Sequence, residues 1–234
     1  MVPSERGAGD EGATRAAVDV GQAGLPRWLL LVGTGEAVGF AVPATVGALV
    51  ADSGAAVLLL LAAGFVEGVV LGGAQYLAMR RELPALRGAL FCMLTGAAAV
   101  FAYVCGLLPS STAQVWMTWP IVLRFAALAV LVVAILGSIG GAQWFELRRH
   151  LAGAGWWIVG TALAWLVGLG VFFAIAPPLW HEGQATIAAV GIGIAAGIAM
   201  AVAMATVTGI TFRILLRRTR SAAARRDAPR LVAT

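Results

Sequence analysis

Two glutamates stand inside long apolar stretches of the chain, where a carboxyl group can carry out acid chemistry. Glu36 lies in an apolar run at residues 28–50, and Glu67 lies in the next run, at residues 56–79. A charged side chain at the centre of a bilayer costs about 2.5–3.5 kcal/mol on insertion scales. Because burial and a nearby like charge both disfavour ionisation, at least one glutamate is predicted to be protonated near neutral pH. Glu67 is therefore a candidate catalytic proton donor, and Glu36 a group that tunes or reprotonates it.

Few other polar side chains share this interior. Tyr103 and Trp165 fall near the depth of Glu67, where their rings are candidates to face a substrate; ordinary core packing is the alternative. Gln75 and Gln143 are candidate substrate-binding residues as well. An amide at that depth needs a hydrogen-bond partner, and the obvious partner of each glutamine is the other.

The composition indicates a membrane protein. Of 234 residues, 61% are hydrophobic and 12% are charged, whereas a soluble domain is about half apolar and a quarter charged. Six apolar runs are long enough to cross ~30 Å of hydrocarbon at about 1.5 Å per residue. We therefore predict an all-α integral membrane protein with six transmembrane helices, at approximately residues 28–50, 56–79, 88–108, 121–145, 153–176 and 186–215.

The arginines predict the orientation of these helices. All sixteen basic residues are arginine, and fifteen lie towards the termini or near residues 80–87 and 146–152. Arg124 falls on the opposite side, with Asp52 and Glu182. Because basic residues favour cytoplasmic loops, both termini are predicted to be cytoplasmic, in the inner (plasma) membrane of the cell.

One twelve-residue motif occurs twice. GGAQYLAMRREL (72–83) and GGAQWFELRRHL (140–151) share seven letters at a separation of 68 residues, and a weaker third copy, TGITFRILLRR, follows after 68 more. Two helices per unit restore the same orientation, which predicts three tandem parallel helical hairpins of ~68 residues. The repeats cover approximately residues 27–82, 83–150 and 151–217. They form a membrane domain at 27–217, between a disordered N-tail at 1–26 and a basic C-tail at 218–234.

Small residues recur every fourth position in the even-numbered runs. This spacing lets helix backbones approach closely in lipid. It predicts three packing ladders: Gly64, Gly68 and Gly72; Gly137 and Gly141; and Gly193, Gly197, Ala201, Ala205 and Gly209.

The two acids break the threefold pattern. The residues 68 and 136 positions away from Glu36 and Glu67 along the repeats are all apolar, namely Val104, Phe172, Ile135 and Ala203. Function is therefore sought at the acids, and the repeated motif is interpreted mainly as scaffold. The alternative for each acid is a neutral carboxyl bonded to a backbone carbonyl.

The remaining polar residues exclude several classes of site. The absence of lysine excludes a retinal-type Schiff base. His150 and His181 fall on opposite faces of the membrane, so they cannot bind one haem or metal together. Neither a metal site nor a cofactor is predicted. An apolar interior disfavours transport of polar solutes and favours a lipophilic partner taken from the bilayer. Three classes remain: an enzyme that protonates an isoprenoid at Glu67, a proton-coupled exporter of lipophilic compounds, and a noncatalytic scaffold subunit.

Six helices with intramembrane carboxylates resemble the small integral-membrane terpene cyclases of bacterial meroterpenoid pathways. The resemblance covers the helical region and rests on size, helix count and carboxylates rather than on a shared motif. It implies an enzyme in which an acid protonates an alkene or epoxide on a prenyl chain, and it assigns no residue.

Overall fold

The described part of the chain forms seven helices. The structure, a computed structural model, describes residues 6–50 and 53–227, with side chains from residue 24 to residue 225 within those ranges. Asp52 lies outside the described residues. The helices are α1 (Arg6–Val50), α2 (Ala56–Met79), α3 (Gly88–Ser111), α4 (Ala113–Trp116), α5 (Ile121–Leu147), α6 (Trp156–Leu179) and α7 (Thr186–Asp227).

Six of these helices are long and apolar enough to cross a membrane, as the sequence predicts. The apolar sections are Gly24–Val50, Ala56–Met79, Gly88–Ser111, Ile121–Leu147, Trp156–Leu179 and Thr186–Arg225. The chain therefore has the architecture of a multi-pass membrane protein. Helix α1 begins at Arg6 and α7 ends at Asp227, so both helices extend into segments predicted as tails. Residues 1–5 and 228–234 lie outside the described residues, and the disorder predicted for 1–26 stays a prediction.

The six long helices form a closed ring. Going around it, α1 packs against α2, α2 against α3, α3 against α5, α5 against α6, α6 against α7, and α7 against α1. Arg27 of α1 contacts the end of α2, and Arg87, just before α3, contacts the end of α5. We call this side of the ring, which also carries Arg148 at the end of α5, the arginine-rich end. The ring leaves an interior that is filled differently at its two ends.

An aromatic cluster fills the interior near the arginine-rich end. The Trp28 and Phe212 rings stack with centroids 5.0 Å apart, and Trp157 meets each of them edge-on at 6.4 and 6.5 Å. The indole nitrogen of Trp28 donates a hydrogen bond to the Ala205 carbonyl oxygen at 3.0 Å. Because these rings come from α1, α6 and α7, they join the first and last helices of the chain.

Three glycines bring α2 and α3 into close contact. A Cβ added at Gly68 would lie 2.7 Å from the Thr95 carbonyl oxygen, and one at Gly72 would lie 2.9 Å from the Thr95 hydroxyl. At Gly64 it would overlap the ring of Tyr103. The ladder predicted on α2 is therefore confirmed, and α3 is the helix it packs against.

The ladder predicted on α5 is wrong, whereas the ladder predicted on α7 is confirmed over its last three members, Ala201, Ala205 and Gly209, which are buried or closely packed. Gly137 and Gly141 have no atom within 4 Å of the position a Cβ would take, and the neighbouring Gly140 packs instead against Ile158 of α6. On α7, Gly197 is equally open, and the close contact is at Gly209, where Trp28 occupies the space. The same four-residue spacing fits more than one face of a helix, and neighbouring side chains decide which face is used.

Replacing Gly68 by alanine is expected to destabilise the protein by about 1–3 kcal/mol, because the added methyl group meets backbone atoms that cannot rotate away. The measurement is the thermal unfolding midpoint of the detergent-solubilised protein. Gly137→Ala is the matched control: its added methyl group has open space and alanine favours a helix, so stability should stay level or rise slightly. Equal effects of the two substitutions would contradict the packing described here.

Candidate functional site

Glu67 faces a largely apolar cavity inside the ring, with a volume of about 360 Å³. Helices α1, α2, α3, α5 and α6 all contribute to its wall. The lining includes both aromatic side chains that the sequence places near Glu67, Tyr103 and Trp165, and it continues along α3 to Gly106 and Leu107. The cavity therefore extends from mid-membrane towards the end opposite the arginines. Its volume falls in the range of small-molecule binding sites.

Tyr103 is hydrogen-bonded to Glu67. The phenol oxygen donates to Oε2 of the carboxylate at 2.8 Å. The local sequence explains this contact, because Gly64 leaves the space that the tyrosine ring occupies one turn away from Glu67. The bond uses Oε2 as an acceptor, so Oε1 is the oxygen available to carry a transferable proton.

Glu36 is buried close to Glu67 without a partner for one of its oxygens. Its side chain is 7% exposed, and within the described part of the chain Oε2 accepts no hydrogen bond. Gly35 and Gly39 bring α1 close to α2: a Cβ added at Gly35 would overlap Ala74, and one at Gly39 would lie 3.2 Å from the Glu67 carbonyl oxygen. Close approach of these two helices places the two acids at one site.

The two acids line a second, much smaller cavity. Its volume is about 20 Å³, and its wall also includes Trp165 and Met200. A space of this size holds about one water molecule. Since Glu67 and Trp165 line both cavities, the small space connects Glu36 with the residues of the larger one.

Gln75 and Gln143 are placed elsewhere, in a buried hydrogen-bond network. Gln143 Nε2 donates to Gln75 Oε1 at 2.6 Å and to the Thr95 hydroxyl at 3.0 Å, while the indole nitrogen of Trp157 donates to Gln143 Oε1 at 2.8 Å. The predicted pairing of the two amides is thus confirmed. Neither glutamine lines the cavities at Glu67. Gln75 Oε1 and both polar atoms of Gln143 are used to join α2, α3, α5 and α6, and the substrate-binding role of the two glutamines stays a prediction.

The sequence reasoning missed a third buried acid. Glu146, 1% exposed at the end of α5, receives two hydrogen bonds from the Arg87 side chain, at 3.0 and 2.6 Å. Arg149 lies 3.2 Å from its Oε2, and His150 lies 3.5 Å from its Oε1. The available signal was the repeat itself, because the matching position of the first motif is Ala78. The cluster fixes the start of α3 to the end of α5.

Comparisons with protein-family models, with curated proteins and with solved structures found no match to this chain. Within the described part of the chain, no group of three or more His, Cys, Asp or Glu side chains is placed to hold a metal ion. The chemistry of the site is accordingly argued from its own side chains: two carboxyl groups, one phenol and one indole around an apolar space.

Proposed function

We propose that the protein acts on a lipophilic, isoprenoid substrate by acid-initiated cyclisation, with Glu67 as the catalytic acid. The observation that carries this proposal is the Glu67–Tyr103 pair, which stands in the wall of an apolar cavity of about 360 Å³. A prenyl chain offers such a cavity only alkene or epoxide groups to act on. Protonation of one of these groups is the reaction that a carboxyl in an apolar environment is suited to begin.

In the proposed reaction, the Glu67 carboxyl transfers its proton to an alkene carbon or epoxide oxygen of the substrate. The resulting carbocation is attacked by the electron pair of a second double bond within the same chain, which closes a ring. Trp165 and Tyr103 stabilise the positive charge through their aromatic faces. Tyr103 also continues to donate its hydrogen bond to the carboxylate that remains on Glu67. Loss of a proton from the cyclised cation gives a neutral product, so that the substrate gains one proton and loses one in the reaction.

Glu36 is proposed to return a proton to Glu67 between turnovers. Its unpartnered Oε2 and the one-water space that it shares with Glu67 support a proton route between the two acids. A single water in that space would accept a proton from one carboxyl and donate one to the other. Glu36 does not line the larger cavity, so it is a reprotonating group rather than the donor to substrate.

The substrate is proposed to enter from the bilayer beside α5. The described residues 121–138 of this helix include no buried side chain, whereas its last part, around Gly140 and Gln143, packs tightly against the ring. Ile135 and Ile139 of the same helix line the larger cavity. The loosely packed part of α5 thus lies next to the site, and a lipophilic chain can reach Glu67 without crossing a polar surface.

The three-repeat organisation is proposed as the scaffold of this site. Around the ring, contacts within the hairpins α1–α2, α3–α5 and α6–α7 alternate with contacts between them, at α2–α3, α5–α6 and α7–α1. The first glycines of the two clear motif copies, Gly72 and Gly140, both pack against the helix that follows their hairpin. A parallel threefold repeat produces this alternation, and it places both termini on one side of the membrane.

Both termini are proposed to be cytoplasmic, in an inner (plasma) membrane. We expect single cysteines introduced as Asp52→Cys and Glu182→Cys to react with an impermeant maleimide added outside intact cells. Arg80→Cys and Arg148→Cys should react only after the cells are opened, because basic residues favour the cytoplasmic side. The background variant replaces Cys92 and Cys105 by alanine and should remain unlabelled. One site labelled from the other side would overturn this topology.

A proton-coupled exporter of lipophilic cations is the second candidate function. The observation that favours it is the same pair of neighbouring acids, since proton exchange between Glu36 and Glu67 would also serve transport. An exporter predicts that cells expressing the protein resist lipophilic cations, and that this resistance is lost in Glu67→Gln.

The deciding experiment offers membranes that contain the protein a panel of prenylated and epoxidised-prenyl compounds and analyses the products by mass spectrometry. A cyclised product has the same mass as its substrate and a different retention time, so chromatography separates the two. Product formation that depends on Glu67 supports the cyclase. Cation resistance without product supports the exporter. If neither occurs and glutamine replacements at residues 36 and 67 alter only stability, the protein is a noncatalytic scaffold subunit.

A further inference from the structure

A second cavity opens at the arginine-rich end, at the corner where α1, α2 and α7 meet. Its volume is about 270 Å³. Five arginines and one glutamate of the described chain line it, together with the stacked Trp28 and Phe212 rings; we call it the arginine pocket, and its charged residues are Arg27, Arg81, Glu82, Arg213, Arg217 and Arg220. Among the described residues that line this pocket, arginines thus outnumber carboxylates.

At least three of these arginines, Arg27, Arg213 and Arg220, interact with other groups of the protein. Arg27 donates to the carbonyl oxygens of Leu77 at 2.7 Å and Ala78 at 3.2 Å, at the end of α2. Arg220 pairs with Glu82 at 2.6 Å, which links α7 to the segment after α2. The carbonyls that Arg27 binds are neutral, so its positive charge is not compensated by a carboxylate there.

At the opposite corner of the ring, two arginines share a buried carboxylate. There Arg87 and Arg149 both contact the buried carboxylate of Glu146, and no comparable buried acid lines the arginine pocket within the described residues. Arg81 and Arg149 occupy the same place in the two motif copies. Of these two matching arginines, Arg149 pairs with Glu146, whereas Arg81 lines the arginine pocket.

We propose that the arginine pocket binds the phosphate group of an anionic lipid headgroup. Guanidinium groups donate paired hydrogen bonds that match phosphate oxygens. The pocket lies where the apolar sections of α1 and α2 end, which is the depth of lipid headgroups. Basic pockets between transmembrane helices on the cytoplasmic side, where this end is proposed to lie, favour such ligands. The rings of Trp28 and Phe212 offer an apolar surface below the charged rim. This site is independent of the acid chemistry at Glu67.

The test titrates the full-length, delipidated protein with phosphatidylglycerol and follows binding by native mass spectrometry. In the Arg81→Gln/Arg217→Gln variant the dissociation constant is expected to rise roughly 30-fold, since each arginine near a membrane surface contributes severalfold to the attraction of anionic lipid. The matched control is Arg80→Gln/Arg225→Gln, which removes two exposed arginines outside the pocket, one just after α2 and one near the end of α7. It should change the constant less than about threefold. Both variants should retain the wild-type unfolding temperature in the absence of lipid.

Three outcomes would overturn the proposal. Equal weakening in the two double variants would mean that the whole basic surface attracts the lipid. Binding of zwitterionic phosphatidylcholine as tight as that of phosphatidylglycerol would remove the role of net charge. Binding of inorganic phosphate or glycerol phosphate as tight as that of the lipid, with the same dependence on Arg81 and Arg217, would assign the pocket to a free phosphate compound instead.

Discussion

Replacing Glu67 by glutamine is expected to lower the rate of product formation by at least about a hundredfold, because the amide cannot donate an acidic proton. The fold should survive the change. Glutamine has nearly the same shape, and its carbonyl oxygen still accepts the hydrogen bond that Tyr103 donates at 2.8 Å in the wild type. The measurement is the initial rate with a prenyl substrate that the wild-type protein cyclises, normalised to the amount of folded protein in the membrane.

The neighbouring residues give a graded set of controls for this result. Tyr103→Phe keeps the ring and removes one hydrogen bond, so a loss of roughly tenfold is expected. Glu36→Gln should leave the first turnover intact and slow the later ones, since Glu36 only restores the proton. Single-turnover and steady-state rates therefore separate the two glutamates. If Glu36→Gln eliminates the first turnover as completely as Glu67→Gln does, the assignment of donor and reprotonating group is wrong.

The six spanning helices were predictable because apolar composition depends only on local sequence. Their predicted positions agree with the structure to within a few residues, apart from the outer extensions of α1 and α7. The proximity of the two acids was harder to predict, because helical rise gives the depth of Glu36 and Glu67 but not the direction in which either points. Gly35 and Gly39 indicate the direction in which Glu36 points, since they allow α1 to approach α2 on the side that carries Glu36.

The role of Glu146 was missed for a different physical reason. An acid beside two arginines at the end of a helix reads as part of a solvated charged surface, where ion pairs contribute little. Its burial depends on Arg87, which lies 59 residues earlier and reaches it only when α3 and α5 pack together. Gln75 and Gln143 were predictable as partners because the repeat places them at the same depth. Their third partner, Trp157, comes from α6 and had no signal in the motif.

Gln143→Leu is expected to destabilise the protein on the order of 2–5 kcal/mol, the largest stability loss predicted here. The change leaves the indole N–H of Trp157 without an acceptor and the side-chain oxygen of Gln75 without a donor, and both side chains are fully buried. Each unsatisfied buried group costs about 1–3 kcal/mol, and hydrogen bonds between membrane helices fall at the lower end of such values. The measurement is the free energy of unfolding in mixed detergent micelles, followed by tryptophan fluorescence.

Gln75→Leu is the matched control at the corresponding position of the first motif. It should cost less, about 1 kcal/mol, because Gln143 Nε2 still donates to Thr95 and its oxygen still receives the Trp157 bond. Combined in one chain, the two substitutions should destabilise by less than the sum of their separate effects, since both remove the same amide–amide bond. Strict additivity would mean that the amides do not interact.

Turnover per folded molecule and the KM for substrate should be unchanged in Gln143→Leu, because Gln143 lies outside the cavity at Glu67. A rise in KM without loss of stability would instead support the substrate-binding role that the sequence predicts for this residue.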